Sequence, residues 1–383
     1  MNLPLVRADI DLDAIAVNVR ELRKATAADA RFMAVVKANA YGHSAIEVAK
    51  KATGSGADAL GVARIQEAVP LRQSGLDAPI LVLGYTPPEL AGLALDNELT
   101  LTIFDSETAR ALSDAARAAG KTLTAHIKID TGMGRLGLRP GEMKGMTINP
   151  DSVETVCRIA QMPGLDLEGI FTHFAAADSA DPAYTEKQFS LFCDFTDELG
   201  ASGVNFRIRH AANSAAIIAH PQTHLDMVRA GIAMYGLNPS PEVTLDHLAT
   251  RPVMALKARL VQVKQVPAGV CVSYGMTHRT AAPTTLATVP IGYADGYSRL
   301  LSSRGTMLVR GQRAPIAGRV CMDLTVLDVG HIKGVRVGDE VVILGSQEAE
   351  TVSADEIASL AGTINYEIVS SITARVPRIF LSG

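Results

Sequence analysis

Phe32-Met33-Ala34-Val35-Val36-Lys37-Ala38-Asn39-Ala40-Tyr41-Gly42-His43-Ser44-Ala45-Ile46-Glu47 holds a strand, a loop and the opening of a helix. Phe32 to Val36 is a short apolar run, and Ser44-x-x-Glu47 ahead of Val48 and Ala49 has the form of a capping box. Lys37 closes the strand. A lysine leaving a buried strand is exposed to desolvation, which lowers its pKa and leaves an amine suited to imine formation. Taken alone, the same lysine could equally turn back into solvent. The segments around it have to decide.

Outward from this unit the strand-helix alternation continues. Strands are expected at 32–37, 59–63, 79–84, 99–104, 123–130, 167–174, 206–210 and 225–229, with helices at 65–73, 107–119, 153–161 and 184–199. Asp13 is expected to cap a helix carrying Ile15, Val19 and Leu22 on one face. Eight such units within about 250 residues point to an α/β fold, a (β/α)8 TIM-type barrel. An open doubly wound sheet is the other architecture, and it would need a GxGxxG turn after an early strand where this chain has Lys37.

Near Pro239-Ser240-Pro241 the pattern changes. Alternating strands over 255–266, 284–291 and 335–344, turns such as Ala294-Asp295-Gly296, and one helix opened by Ser353-x-x-Glu356 define a mainly β C-terminal domain. The expected division is a barrel over 1–238, with strand 7–12 a candidate member of the β domain, and the β domain over 239–383.

Composition narrows the function. The chain has 383 residues, 48% hydrophobic and 20% charged, with 36 basic and 40 acidic side chains and a net charge of −4. Without a basic run or a long apolar span, neither nucleic acid nor a membrane is an expected partner. Residues 1–13 lack the apolar core of a signal peptide, and Cys157, Cys193, Cys271 and Cys321 are scattered without metal or disulfide spacing. A cytoplasmic protein acting on small metabolites, with no metal, is the expectation. Cys321 and Met322 read as core residues.

In a barrel, side chains at the carboxyl ends of the strands converge on one mouth. Lys37 ends the first strand, and Lys128, Asp130 and Arg135 lie at and beyond the end of the fifth. His173 ends the sixth, His210 to Ser214 follow the seventh, and Arg229 ends the eighth. Singly, each is ordinarily structural; their joint placement makes a candidate site. An imine-forming lysine among such groups fits pyridoxal 5′-phosphate, whose aldehyde takes an amine and whose ring withdraws electrons from Cα. Tyr41, Ser214 and the Gly231-Ile232 peptide offer neutral donors to its phosphate, although Ser214 reads equally as the N-cap of helix 214–220. Arg229 donates without surrendering a proton and so favours an unprotonated ring nitrogen. A salt bridge to Asp226 is the other reading of its position.

At this point the residues resemble those of the bacterial alanine racemases along nearly the whole chain. Ala34-Val35-Val36-Lys37-Ala38-Asn39-Ala40-Tyr41-Gly42-His43 is similar to the cofactor-lysine motif, and Lys128-Ile129-Asp130-Thr131-Gly132-Met133-Gly134-Arg135-Leu136-Gly137 to the segment that supplies the substrate-carboxylate arginine. Thr172-His173-Phe174-Ala175, His210-Ala211-Ala212-Asn213-Ser214-Ala215 and Val228-Arg229-Ala230-Gly231-Ile232-Ala233-Met234-Tyr235-Gly236 also match. In the β domain the matches are Ser273-Tyr274-Gly275, Gly292-Tyr293-Ala294-Asp295-Gly296 and Arg319-Val320-Cys321-Met322-Asp323. Ser44, where glycine is frequent, and Ala230, where proline is frequent, depart from the pattern without touching an assigned role.

The resemblance implies that Lys37 carries the cofactor and that Arg229, oriented by His210, faces its ring nitrogen, with His173 against the ring. Tyr41, Ser214, Gly231, Ile232 and Tyr366 would bind the phosphate. Arg135 would hold the substrate carboxylate, assisted by backbone near Met322. Tyr274 would come from the β domain of a second subunit in a homodimer and stand opposite Lys37. Lys128 is either carbamylated beside Arg135 or paired with a carboxylate such as Asp130. The implied reaction is a two-base interconversion of L-alanine and D-alanine, supplying D-alanine for peptidoglycan. An amino-acid decarboxylase would place a carboxylate where Arg229 stands, and a cofactor carrier would lack the β domain with Tyr274.

Overall fold

The computed structural model describes residues 4–143, 145 and 147–382. Eight segments form parallel strands: Arg31–Val35, Ala59–Val62, Ile80–Val82, Thr100–Ile103, Leu123–Lys128, Leu165–Phe171, Ile208–His210 and Met227–Ala230. Seven parallel ladders join them in chain order, with Met227–Ala230 paired back onto Arg31–Val35. The seventh and eighth strands then meet through Asp226 N–H to Arg209 O at 3.1 Å and Arg229 N–H to Ala212 O at 3.0 Å. A sheet whose ends meet in this way is a nearly closed barrel, which rules out the open doubly wound alternative. Met33, Ala59, Leu81, Ile208 and Met227 pack together within it.

Helices Ile65–Gln73, Ser106–Ala118, Pro150–Ala160 and Ala183–Ala201 lie between the strands. The first helix, Leu12–Ala25, is capped by Asp11 Oδ1 accepting from Ala14 N–H at 2.8 Å, so the cap is Asp11 and not Asp13. Among the described residues, no helix is long and apolar enough to cross a membrane.

The chain divides into two compact units. One comprises Ile15–Ala40 with Ala45–Arg251; the other comprises the N-terminal residues through Ala14, Tyr41–Ser44 and the chain from Pro252 onward. The break therefore lies at 251/252, beyond the expected 238/239. Asn18 explains the shift: its side chain donates to Arg251 O and accepts from Arg251 N–H, both at 2.9 Å, and holds this stretch on the barrel unit.

In the β unit, strand Val6–Asp11 lies between Met254–Arg259 (antiparallel) and Arg378–Leu381 (parallel) in a seven-stranded sheet. Arg7, Asp9, Lys257 and Glu340 form an ion-pair network there. The single strand expected over 255–266 is two strands in two sheets, because Leu260 N–H turns aside to Asp339 O. Ser353 caps helix Ala354–Ala361 as expected, accepting from Glu356 N–H.

Candidate active site

Lys37 stands two residues past the first barrel strand and opens a left-handed turn. Ala38, Asn39, Ala40 and Tyr41 all have φ between 52° and 54°. None is glycine, and left-handed backbone costs roughly 1–2 kcal/mol per residue, so something must hold the turn. Much of that anchoring comes from Glu67, whose Oε1 accepts from Ala38 N–H at 2.7 Å and whose Oε2 accepts from Ala63 and Arg64. Asn39 Oδ1 accepts from Ala45 N–H at 2.9 Å where the next helix begins. Burial is the main cause of a lowered Lys37 pKa, reinforced by the charge of Arg135 and opposed by Glu67.

Lys128 ends the fifth strand, buried, with Nζ 4.3 Å from the centroid of the Phe171 ring. Burial, then Arg229 and Arg135, lower its pKa to about 7. Asp130 does not neutralise this cluster by a direct ion pair; its Oδ1 accepts from Gly132 and Gly134 N–H, both at 3.0 Å, and shapes the loop that carries Arg135.

Arg229 is buried and does not pair with Asp226, which binds Arg209 instead at 3.1 Å. Its guanidinium donates to His210 Nδ1 at 3.0 Å, to the Thr172 and Ala211 carbonyls at 2.8 Å each, and to His173 Nδ1 at 3.2 Å. Burial lowers its pKa to about 9. Burial and then Arg229 hold His173 and His210 far below the usual imidazole range, so both are neutral. His210 stacks on Phe171 with centroids 4.7 Å apart.

Ser214 is not the helix cap. Asn213 fills that role by accepting from Ala216 N–H, while Ser214 Oγ accepts from Gly231 N–H at 2.8 Å and Ala233 N–H at 3.3 Å. A hydroxyl that already accepts twice keeps its own proton for a further acceptor. Ile232 is buried beside Gly231.

In the β unit, Tyr41 and Tyr366 face each other with ring centroids 6.2 Å apart. Tyr274 occupies the turn of a hairpin between Cys271–Val272 and His278–Arg279, flanked by Ser273 at φ 64° and Met276 at φ 50°. Tyr274 is 71% exposed. Met322 is 52% exposed and so not the core residue expected; its carbonyl accepts from Ala294 N–H at 3.0 Å. Gly292 is required beside it, since a Cβ there would lie 2.3 Å from Met322 O.

The structure thus gathers Lys37, Lys128, Arg135, His173, His210, Ser214 and Arg229 in one unit, and Tyr41, Tyr274, Met322 and Tyr366 in the other. Sequence reasoning missed Glu67 and Phe171. Among the described residues, no cluster of three or more His, Cys, Asp or Glu is placed to hold a metal.

A parallel barrel bearing a desolvated lysine among arginines and neutral histidines, continued by a β unit, defines a lysine-dependent class of amino-acid enzymes. Comparison with known proteins narrows that class. The alanine racemase N-terminal domain matches residues 10–239 and the alanine racemase C-terminal domain residues 253–380. Alanine racemase of Desulfosudis oleivorans is 54% identical, covering 98% of this chain and 96% of that protein. The alanine racemase structure of Clostridium difficile 630 superposes with a TM-score of 0.93 at 40% identity, covering 100% and 97% of the two chains. That of Streptomyces lavendulae gives a TM-score of 0.93 at 40% identity, covering 100% and 98%. The chain belongs to the alanine racemase family, a family of isomerases.

Proposed function

We propose that this chain interconverts L-alanine and D-alanine in the cytoplasm, as a homodimer that uses pyridoxal 5′-phosphate, and supplies D-alanine for peptidoglycan. The observation that carries the reading is the electrostatics of the barrel mouth, where burial and the charges of Arg135 and Arg229 lower the pKa of Lys37 and Lys128 beside neutral histidines. Excess positive charge in a buried site favours an anionic ligand, and a phosphate together with a substrate carboxylate meets that need. Ser214 Oγ, with its proton free, fits a phosphate oxygen.

Lys37, Tyr41, His173, His210, Ser214, Arg229, Gly231, Ile232 and Tyr366 are assigned to the cofactor. When bound, pyridoxal 5′-phosphate supplies an aldehyde for amine condensation and a ring that withdraws electrons from Cα. Arg229 lacks acceptor capacity, and its fixed guanidinium can only donate toward the ring nitrogen. Arg135 binds the substrate carboxylate, with the backbone at Met322 assisting, and a carbamylated Lys128 steadies its guanidinium.

Racemisation requires a proton to leave one face of Cα and return to the other. Lys37 Nζ, with its lowered pKa, takes the proton of the D-isomer. The phenolate oxygen of Tyr274, brought by a second subunit, takes that of the L-isomer, and in each direction the other group, protonated, returns a proton to the opposite face. Exposure of Tyr274 in the single chain is consistent with a residue waiting for a partner's site.

The test is chiral analysis of purified protein after incubation with L-alanine, alongside Lys37→Ala. Conversion to an even mixture by the wild type alone is the expected result. Release of carbon dioxide from a basic amino acid, with alanine left unchanged, would replace this reading with a decarboxylase.

A further inference from the structure

Arg229 does not end its chain of contacts at His210. His210 Nε2 lies 2.9 Å from His126 Nδ1, and His126 Nε2 lies 3.3 Å from Glu168 Oε2. The line runs through the barrel interior to a cavity of about 220 Å³ at the amino-terminal ends of the strands, lined by Arg31, Asp58, His126 and Glu168 among others. Both histidines are buried, whereas Glu168 is partly open to that cavity.

Each bond in this line has a forced direction. Arg229 can only donate, so His210 Nδ1 must accept. A neutral imidazole with a bare Nδ1 carries its proton on Nε2, and that proton points at His126 Nδ1. His126 therefore carries its own proton on Nε2 and donates to Glu168, which as a carboxylate can only accept. Burial keeps His126 and His210 neutral, and the hydrogen bond from His126 keeps Glu168 ionised.

Two backbone features build the line. Along the fifth and sixth strands, Ala125 pairs with Leu167 but His126 pairs with Gly169, so Glu168 is the extra residue of a β-bulge. A bulge re-aims a side chain, and here the bulged residue reaches His126. Gly169 leaves the space for the imidazole, since a Cβ there would come within 2.6 Å of its ring atoms.

We infer that Glu168 and His126 are positioning residues that fix the tautomer of His210, so that Arg229 always meets an acceptor and is held donating toward the site. The inference rests on the proposed role of Arg229 at the cofactor ring. Without the carboxylate, His126 is free to reverse, His210 can carry its proton on Nδ1, and two donors then face each other at Arg229.

The experiment is solid-state ¹⁵N NMR of the full-length, cofactor-loaded protein labelled in histidine, wild type against Glu168→Leu. His210 is assigned by comparison with His210→Gln. The expected wild-type signal for His210 Nδ1 is that of an unprotonated ring nitrogen, and Glu168→Leu should add a protonated population. In the same variant kcat should fall by about tenfold, with KM for alanine held within about twofold, as for outer-shell partners of a buried histidine. A protonated His210 Nδ1 in the wild type overturns the inference even if Glu168→Leu fails to fold. An unchanged Nδ1 signal in a folded Glu168→Leu protein overturns it as well. Failure of the racemase reading would appear separately, as wild-type protein that leaves L-alanine unchanged.

Discussion

Lys128 Nζ lies 4.3 Å from the centroid of the Phe171 ring, with Arg229 on the same ring at 5.6 Å. Two buried cations beside one aromatic ring compete for a single quadrupole, and the lysine is the one that can shed its proton. Its pKa of about 7 sets the sign of the pH effect. Below that pH the ammonium cannot add carbon dioxide; above it the neutral amine can. Protein equilibrated with ¹³C-bicarbonate should give a carbamate ¹³C signal that grows as pH rises through about 7 and is missing in Lys128→Ala. A spectrum without that signal at pH 8 would leave Lys128 as an unmodified amine.

Glu67 provides a second target away from the reacting atoms. Its carboxylate accepts from the N–H groups of Ala38, Ala63 and Arg64, and so holds the left-handed turn after Lys37. Glu67→Ala leaves those donors without that acceptor and should lower the unfolding free energy by about 1–3 kcal/mol. Urea denaturation measures this directly. Because Glu67 also raises the Lys37 pKa, its loss should move the Lys37 pKa further down. An unchanged denaturation midpoint would show that the turn is held by other contacts.

Ser214→Ala separates binding from folding. Helix Ser214–Ala219 keeps its cap at Asn213, so the far-ultraviolet circular dichroism should not change. What is lost is a hydroxyl that accepts from Gly231 and Ala233 and is proposed to donate to phosphate. Titration of cofactor-free protein with pyridoxal 5′-phosphate should show affinity reduced about tenfold, or ~1.4 kcal/mol. Equal affinity in the two proteins would remove Ser214 from the phosphate site.

The strands of the barrel were legible because buried parallel strands tend to be apolar runs between helices, a form that Ala59–Val62 and Ile80–Val82 have outright, while the regular strand-helix alternation carried the more polar Leu165–Phe171 and Ile208–His210. The site was legible for a related reason: once the strand ends are known, Lys37, Lys128, His173 and Arg229 fall at one mouth. Features that depend on a partner distant in the chain were not. Within Ala38-Asn39-Ala40-Tyr41 only Asn39 is a residue that readily takes left-handed backbone, and the rest of the turn is anchored in part by the distant Glu67 carboxylate. The bulge at Glu168 needs the register of two strands. Alternation over 255–266 runs on through Leu260, and only the Asp339 carbonyl turns the chain there. Met322 reads as core because its neighbours are apolar, yet it is half exposed.

The exposed position of Tyr274 leads to the most discriminating prediction. If Tyr274 serves a partner's site, then Lys37→Ala and Tyr274→Phe damage different parts of the same composite unit, and each variant alone should be nearly inactive, with kcat/KM for the two enantiomers falling together. Mixing the two lets subunits exchange. In a mixed dimer one site combines both substitutions, while the other combines an intact Lys37 from one chain with an intact Tyr274 from its partner. Random pairing makes half of all dimers mixed, and half of the sites in those are whole. Activity should therefore recover to about one-quarter of the wild-type rate. If Tyr274 instead acted within its own chain, every site in every dimer would carry a defect and mixing would restore nothing. Size-exclusion chromatography of the mixture, with one variant carrying a distinguishable tag, establishes that exchange took place. Mixed dimers without recovered activity would then place Tyr274 outside the partner's site, whatever the solution state of the chain.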